Sequence, residues 1–354
     1  MKDKDAMLAA MKKEIAFHPP NLKLQTSNPK LETLYFGGGT PSVLSINELS
    51  GLIDTVRQYY TISADTEITL EANPDDLTDD YLEGLFDLEF NRLSIGVQSF
   101  FDDDLQWMNR RHNAAEAVQS VEKAHRHGFH NINIDLIYGL PKMTLERWEA
   151  NLTQALALNV SHLSAYHLLI EARSVFGKRQ SKGEVFNVSE DESVDQFDTL
   201  INMTEKTGYE HYEISNFARP GFRSRHNTAH WQLKPYMGIG PSAHSYDGHS
   251  RQWNISNNSR YIAALESSTI WFEREILTPA DKYNEYILVS LRAAWGADIN
   301  HIRARFGDDL ANDFLQHAAA YVQNGYMYEQ SGVYILTQKG KFTADGIVAD
   351  FFKV

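Results

Sequence analysis

Along the first two thirds of the chain, short apolar runs closed by glycine or polar residues alternate with longer stretches whose apolar residues recur every three or four positions. The β-rich runs occupy residues 33–38 (TLYFGG), 67–73 (EITLEAN), 92–99 (RLSIGVQS), 131–139 (NINIDLIYG) and 162–169 (HLSAYHLL). Between them, residues 46–60, 79–88, 114–127 and 145–158 carry the single apolar stripe of a helix buried on one side. Such alternation predicts a parallel sheet with right-handed crossovers, either an open doubly wound sheet or a barrel. The boundaries have local causes. Ser45 lies three residues before Glu48, as in a capping box, and Gly128 follows the 114–127 stretch where a left-handed cap belongs.

Residues 171–208 read as a loop followed by a helix. Residues 209–260 are rich in Gly, Asn, His, Ser and aromatics with weak periodicity, and ligand-contacting loops are expected there. From Thr278 the texture changes again: helices over 281–294 and 308–324, strands over 326–329 and 333–336, and a last helix from Gln338 predict a small winged-helix-like unit. Its 7 basic and 9 acidic residues give no electrostatic support for DNA binding, so a structural or partner-docking role is expected. The expected organisation is a barrel over 1–208, barrel completion and ligand loops over 209–277, and the winged-helix-like domain over 278–354.

Composition narrows the function. With 33 Lys+Arg against 47 Asp+Glu the net charge is −14, which disfavours nucleic acid or an anionic membrane as the main partner. No apolar run approaches the eighteen or so residues of a spanning helix. The opening Met1-Lys2-Asp3-Lys4-Asp5 has no signal-peptide pattern, and a soluble cytoplasmic protein is expected. The 354 residues contain no cysteine, so disulfides, thiolate nucleophiles and Cys-ligated zinc or iron–sulfur clusters lie beyond what this polypeptide can make alone.

In parallel α/β sheets, chemistry collects at the carboxyl ends of the strands. Those ends bear Gly37-Gly38-Gly39-Thr40-Pro41, Glu71-Ala72-Asn73-Pro74, Gln98-Ser99, Asp135, Tyr138-Gly139-Leu140-Pro141 and the stretch after Tyr166. The glycine run offers unblocked N–H groups, Glu71 can accept two ribose hydroxyls, Gln98 can bond in both directions, and the Arg110 fork can meet a carboxylate. Together they suit a nucleoside-like ligand with an amino-acid end; the plainer alternatives are a capping role for Glu71 and a solvated pair for Arg110 and Arg111. Gly238-Ile239-Gly240-Pro241-Ser242-Ala243 is not a dinucleotide fingerprint, because no strand leads into it and Pro241 interrupts the turn; a ligand-site or packing loop fits better. His125, His127 and His130 surround Gly128, where imidazoles suit a helix C-terminus. His226 and His230 are four apart, on one helical face with Asn227 and Trp231 beside them, a geometry able to ligate haem iron or a divalent metal.

The blocks YFGGGTPS (35–42), LEANPDDLT (70–78), NRLSIGVQSF (91–100), NINIDLIYGLP (131–141), HLSAYHLLIE (162–171), YEISNFA (212–218) and GIGPSAHSY (238–246) together resemble HemW-type radical-SAM haem chaperones, long labelled oxygen-independent coproporphyrinogen III oxidase-like. The resemblance implies a partial (β/α) barrel of the radical-SAM type with a small C-terminal winged-helix-like domain. It implies that S-adenosylmethionine (SAM) meets Gly38, Gly39 and Thr40 at its methionine end and Glu71 at its ribose, with Gln98, Arg110, Asp135 and Leu169 completing the pocket. The family's haem motif, His-Asn-x-x-Tyr-Trp, corresponds to His226-Asn227-Thr228-Ala229-His230-Trp231, with histidine in place of tyrosine, and places an iron ligand at His226 or at His230. The partners so implied are haem, acceptor haemoproteins, a second copy in a homodimer, and membrane haem proteins met peripherally.

Family members begin with a strand and a Cys-x-x-x-Cys-x-x-Cys loop that holds a [4Fe–4S] cluster. This chain opens inside what resembles their first helix, over residues 4–17, without that strand and loop. Two accounts follow: a longer protein that carries the motif upstream, or a cluster-less binding protein. The exposed strand edge that the second would leave at residues 33–38 favours the first. The expected function is a haem chaperone; the alternatives are an oxidase of the coproporphyrinogen III type in porphyrin biosynthesis and a non-catalytic scaffold.

Overall fold

The computed structural model describes residues 4–21, 29–168, 170, 177, 182 and 188–353. After helix α1 (Lys4–Asn21), strands β1 (Thr33–Phe36), β2 (Glu67–Ala72), β3 (Arg92–Gln98), β4 (Asn131–Tyr138) and β5 (His162–His167) stand in chain order, each parallel to the next. Their crossovers carry α2 (Ile46–Tyr59), α3 (Asp79–Asp87), α4 (Asp102–Trp107) with α5 (Ala114–Arg126), and α6 (Leu145–Ala157). Past α7 (Glu190–Lys206), the hairpin of β6 (Glu210–Glu213) and β7 (Asn216–Ala218) extends the sheet in antiparallel sense, giving the order β1-β2-β3-β4-β5-β7-β6.

The strands alternate, and that alternation decides between the two topologies open to the sequence. Ile68, Leu70, Leu93, Ile95, Val97, Ile132, Ile134, Leu136 and Leu163 are buried in one core with Leu49 and Ile53 of α2, Leu82 and Leu85 of α3, Val121 of α5, and Trp148 and Leu152 of α6. Each such side chain contributes roughly 1.5–3 kcal/mol on burial. The intervening strand residues are mostly polar and face the other way. A doubly wound sheet would need apolar residues on both faces; this one packs its crossover helices on one face and curls around a polar lumen as a partial (β/α) barrel. Caps hold the helices in register with the strands: Ser45 and Glu48 form the expected capping box on α2, and Gly128, at φ +87°, ends α5.

The stretch with weak periodicity contains the short helix α8 (Arg225–Trp231) and a three-stranded antiparallel sheet of β8 (His244–Tyr246), β9 (Ser250–Asn254) and β10 (Phe272–Ile276), with α9 (Asn258–Glu266) between the last two. Gly238–Ala243 is a packing loop here: the Gly240 N–H donates to Glu14 of α1 at 2.8 Å. The C-terminal part comprises α10 (Pro279–Leu291), β11 (Ala297–Asp298), α11 (Ile299–Phe306), α12 (Asp308–Gln323), β12 (Met327–Gln330), β13 (Val333–Leu336), α13 (Gln338–Phe342) and α14 (Ala344–Asp350). It forms a winged-helix-like unit with its own core of Tyr283, Ile287, Phe314, Ile347 and Phe351. The expected last helix is broken at Thr343, whose φ and ψ of −107° and 21° cap α13 and start α14.

Candidate functional site

The glycine turn after β1, the ends of β2, β3 and β4, and Arg110 enclose a cleft of about 160 Å³, lined by Gly39, Thr40, Glu71, Gln98, Arg110 and Asp135 among others. Six of the residues expected at a nucleoside site therefore meet in one place, and Gly38 adjoins them. Leu169 lies outside the described residues.

Each wall has a local cause. Glu71 Oε1 accepts from the Tyr35 hydroxyl at 2.7 Å and Oε2 from the Gly38 N–H at 3.2 Å, so the carboxylate ties the glycine turn to its own strand. Only glycine fits at position 37, where a Cβ would lie 2.4 Å from the Tyr35 ring and 2.7 Å from the Glu71 carboxyl. Gly38 has φ +76°, and a Cβ on Gly38 or Gly39 would meet nothing within 4 Å, which leaves their cleft side open to a ligand. Gln98 follows an irregularity in the β3–β4 register and has φ +70°. Arg110 is no solvated surface residue: its Nη2 donates to Asn73 Oδ1 at 2.8 Å and to the Gly96 carbonyl at 3.3 Å. Arg111 does stay at the surface, paired with Asp75 and Asp76.

Asp135 lies on the lumen side of β4. Burial pushes its carboxyl up to about 6, opposed by hydrogen bonds from Asn133 and Ser164. Burial and the adjacent Glu71 also raise the Tyr35 phenol, which stays protonated and donates. Below the cleft the lumen is a connected polar network. Asn133 donates to Ser94 Oγ and to Asp135, both at 2.8 Å, and its Oδ1 accepts from His162 Nδ1 at 2.6 Å. His162 Nε2 faces the Tyr212 hydroxyl at 2.7 Å; desolvation holds this imidazole neutral, with its pKa well below the usual range.

Helix α8 packs against the lumen-side residues of β1 and β2. Glu67 accepts from the backbone N–H groups of Arg225 at 3.1 Å and His226 at 3.0 Å, so a buried acid holds the N-terminus of this short helix. The His226 ring stacks on Tyr35 at 4.4 Å, and its Nδ1 is 3.1 Å from Thr33 Oγ1. Its Nε2 is 3.2 Å from Nε2 of His230. Burial depresses both rings, His226 to about 4, so both are neutral near pH 7 and one must donate to the other. The Arg292 guanidinium lies 5.8 Å over the Trp231 ring, while Asn227 contributes its N–H to the Ser224 cap at 3.1 Å.

The donor set discriminates among the implied groups. The cleft offers acceptors, donors and bare glycine backbone, which suit SAM. With no cysteine in the chain, and no cluster of three or more His, Asp or Glu able to hold a metal among the described residues, the residues do not fit an iron–sulfur cluster. Reading strand ends alone passed over Tyr35, Arg92, Asn133 and His162; the signal was the polar half of each strand's alternation, as in Arg92-Leu93-Ser94-Ile95 and Asn131-Ile132-Asn133-Ile134-Asp135.

Residues 22–155 match the radical SAM superfamily model, and residues 277–343 match the HemN C-terminal domain model. A heme chaperone HemW from Bacillus subtilis is 32% identical over 349 residues, 98% of this chain and 91% of that protein. The Escherichia coli heme chaperone HemW is 32% identical over 91% of this chain and 84% of its own length. Among solved structures, the radical-SAM coproporphyrinogen III oxidase HemN from Escherichia coli superposes with a TM-score of 0.83 at 25% identity, covering 100% of this chain and 84% of that one.

Proposed function

The chain belongs to the HemW haem-chaperone family of the radical-SAM superfamily, and from that premise we propose that it binds haem through α8 and passes it to acceptor haemoproteins, with SAM held in the neighbouring cleft. The observation that carries this reading is the neutral His226–His230 pair at the edge of the lumen, with Nε2 atoms 3.2 Å apart.

The pair's hydrogen bonds divide the roles. With its Nδ1 proton directed at Thr33 Oγ1, His226 would keep its Nε2 lone pair for iron, and His230 Nε2–H would donate to it in the absence of haem. The two nitrogens point at one spot, so they do not serve opposite faces of one haem; His226 ligates and His230 supports. Haem is the cargo in this scheme. For SAM, Gly38, Gly39 and Thr40 would hold the methionine end, Glu71 the ribose, and Gln98, Arg110 and Asp135 the remaining polar groups. Bound SAM supplies a sulfonium whose cleavage requires an electron these residues do not deliver, and no step here runs through a cluster.

Haem titration followed at the Soret band tests the reading. His226→Ala should weaken binding by at least about tenfold, roughly the 1.4 kcal/mol or more expected for a lost ligand, and His230→Ala should weaken it less. His230→Tyr, which returns the family's motif, should retain binding. Unchanged affinity in the His226→Ala/His230→Ala double variant would refute the site. The oxidase alternative draws on the likeness to HemN and predicts porphyrinogen turnover instead.

A further inference from the structure

The lumen contains a buried guanidinium with an unmet donor, its charge felt by Asp135 and Tyr35. Arg92, at the start of β3, is 2% exposed, yet its Nε meets no acceptor, and no described residue forms an ion pair with its guanidinium. The sheet register places Thr69 on one side of it and Asn131 on the other. Thr69 Oγ1 and Asn131 Oδ1 are likewise buried without hydrogen-bond partners. Three neighbouring positions on one row of the sheet thus present unmet polar atoms on the lumen face, two residues before Asn133 and Ser94. An unpaired buried guanidinium and orphaned buried oxygens are costly to keep, and their coincidence in one row marks a place that a ligand completes.

The row also has a direction. Its next member is Tyr35, paired with Thr69, and on Tyr35 rests the His226 ring. At roughly 4.8 Å between strands, Arg92 starts about 10 Å from Tyr35 across the sheet. The Arg92 charge reaches His226 and adds to what burial does in keeping that ring neutral. A porphyrin carries iron at its centre and carboxylates at its rim, so a carboxylate site on this row would lie within reach of a porphyrin whose iron met His226.

We propose that Thr69, Arg92 and Asn131 form a carboxylate subsite that takes a propionate of the porphyrin whose iron His226 binds. The proposal rests on the haem reading above. The guanidinium fork meets the two oxygens and the Thr69 hydroxyl donates a further bond, while Asn131 flanks the subsite with its Nδ2 as the donor.

Titration of the full chain with haem and with haem dimethyl ester, at one detergent concentration, tests it. The wild type should prefer the free acid by about tenfold or more, the size of one lost charge-assisted bond. Arg92→Gln should bind both forms with the ester's affinity, and Arg92→Lys should keep part of the preference. The apo thermal midpoint of Arg92→Gln should equal or exceed the wild type's, because an unpaired buried charge is removed. Equal wild-type binding of acid and ester, a preference that survives Arg92→Gln, or a lowered apo midpoint would each overturn the subsite and leave the His226 ligand standing. Weakened SAM binding with unchanged haem binding in Arg92→Gln would assign the row to the SAM carboxylate and overturn it too. Loss of the haem reading has its own signature, haem affinity insensitive to His226→Ala, and would take the subsite with it.

Discussion

Two side chains at the site titrate in opposite senses over one pH range. Asp135 loses its proton at about 6 in the folded chain against 3.8 as a model carboxyl, so between those values the folded state holds the extra proton and stability falls as pH rises. His226 titrates at about 4 against 6.5, so over nearly the same span the folded state holds fewer protons and stability rises with pH. Asp135→Asn should therefore raise the thermal midpoint at pH 7 but not at pH 3. His226→Asn should lessen the loss of stability between pH 6.5 and 4; calorimetric midpoints across this range check both. A midpoint for Asp135→Asn that tracks the wild type at every pH would show that the buried carboxyl carries no strain. Glu71, Gln98 and Asp135 could be grouped from the sequence because they lie in the carboxyl-terminal halves of their strands, and Arg110, in the loop after α4, because its fork suits a carboxylate. Arg92 escaped because it begins its strand, and nothing in a single sequence shows whether a buried guanidinium has found a partner.

At the scale of elements, α1 and the three-stranded sheet are joined by one carboxylate. Glu14 is fully buried and accepts from Gly240 N–H at 2.8 Å, Asn254 Nδ2 at 2.6 Å, Trp271 Nε1 at 3.0 Å and the Tyr261 hydroxyl at 2.5 Å. These donors come from the loop before β8, from β9, from α9 and from the residue before β10, so removal of the acceptor strands groups on four segments at once. Glu14→Ala should cost about 3 kcal/mol or more, given roughly 1–3 kcal/mol for each buried group left unmet, and chemical denaturation should show a lower midpoint. A change below about 0.5 kcal/mol, the size of an ordinary surface substitution, would refute the joint. This sheet was illegible in the sequence for a physical reason. Its strands are three to five residues long and pair locally, and a polar keystone supplied from residue 14 leaves no periodic trace between 209 and 277. The barrel strands were legible because their core faces are almost wholly apolar, and the helices because of their apolar stripes and signals such as the Ser45 cap.

For the molecule as a whole, the lumen face of β1 gives the strongest constraint. Helix α8 packs there, through the contacts of His226 with Thr33 and Tyr35. The histidines of that helix are the candidate haem ligands, and His226 is linked to the cleft through Tyr35, which stacks on its ring and donates to Glu71. Two outcomes follow for the 354-residue chain. Calorimetric titration should show SAM binding that weakens by about tenfold or more in Glu71→Gln, because a carboxylate that accepts ribose hydroxyls becomes an amide with half the acceptor capacity. Anaerobic incubation with iron, sulfide and a strong reductant should produce no cluster chromophore and no 5′-deoxyadenosine from the bound SAM, because the chain offers no thiolate to anchor the metal. Formation of 5′-deoxyadenosine by this chain alone would mean that an electron reaches the sulfonium by a route other than a thiolate-held cluster, and the division of labour argued here, cleft for binding and α8 for cargo, would have to be abandoned.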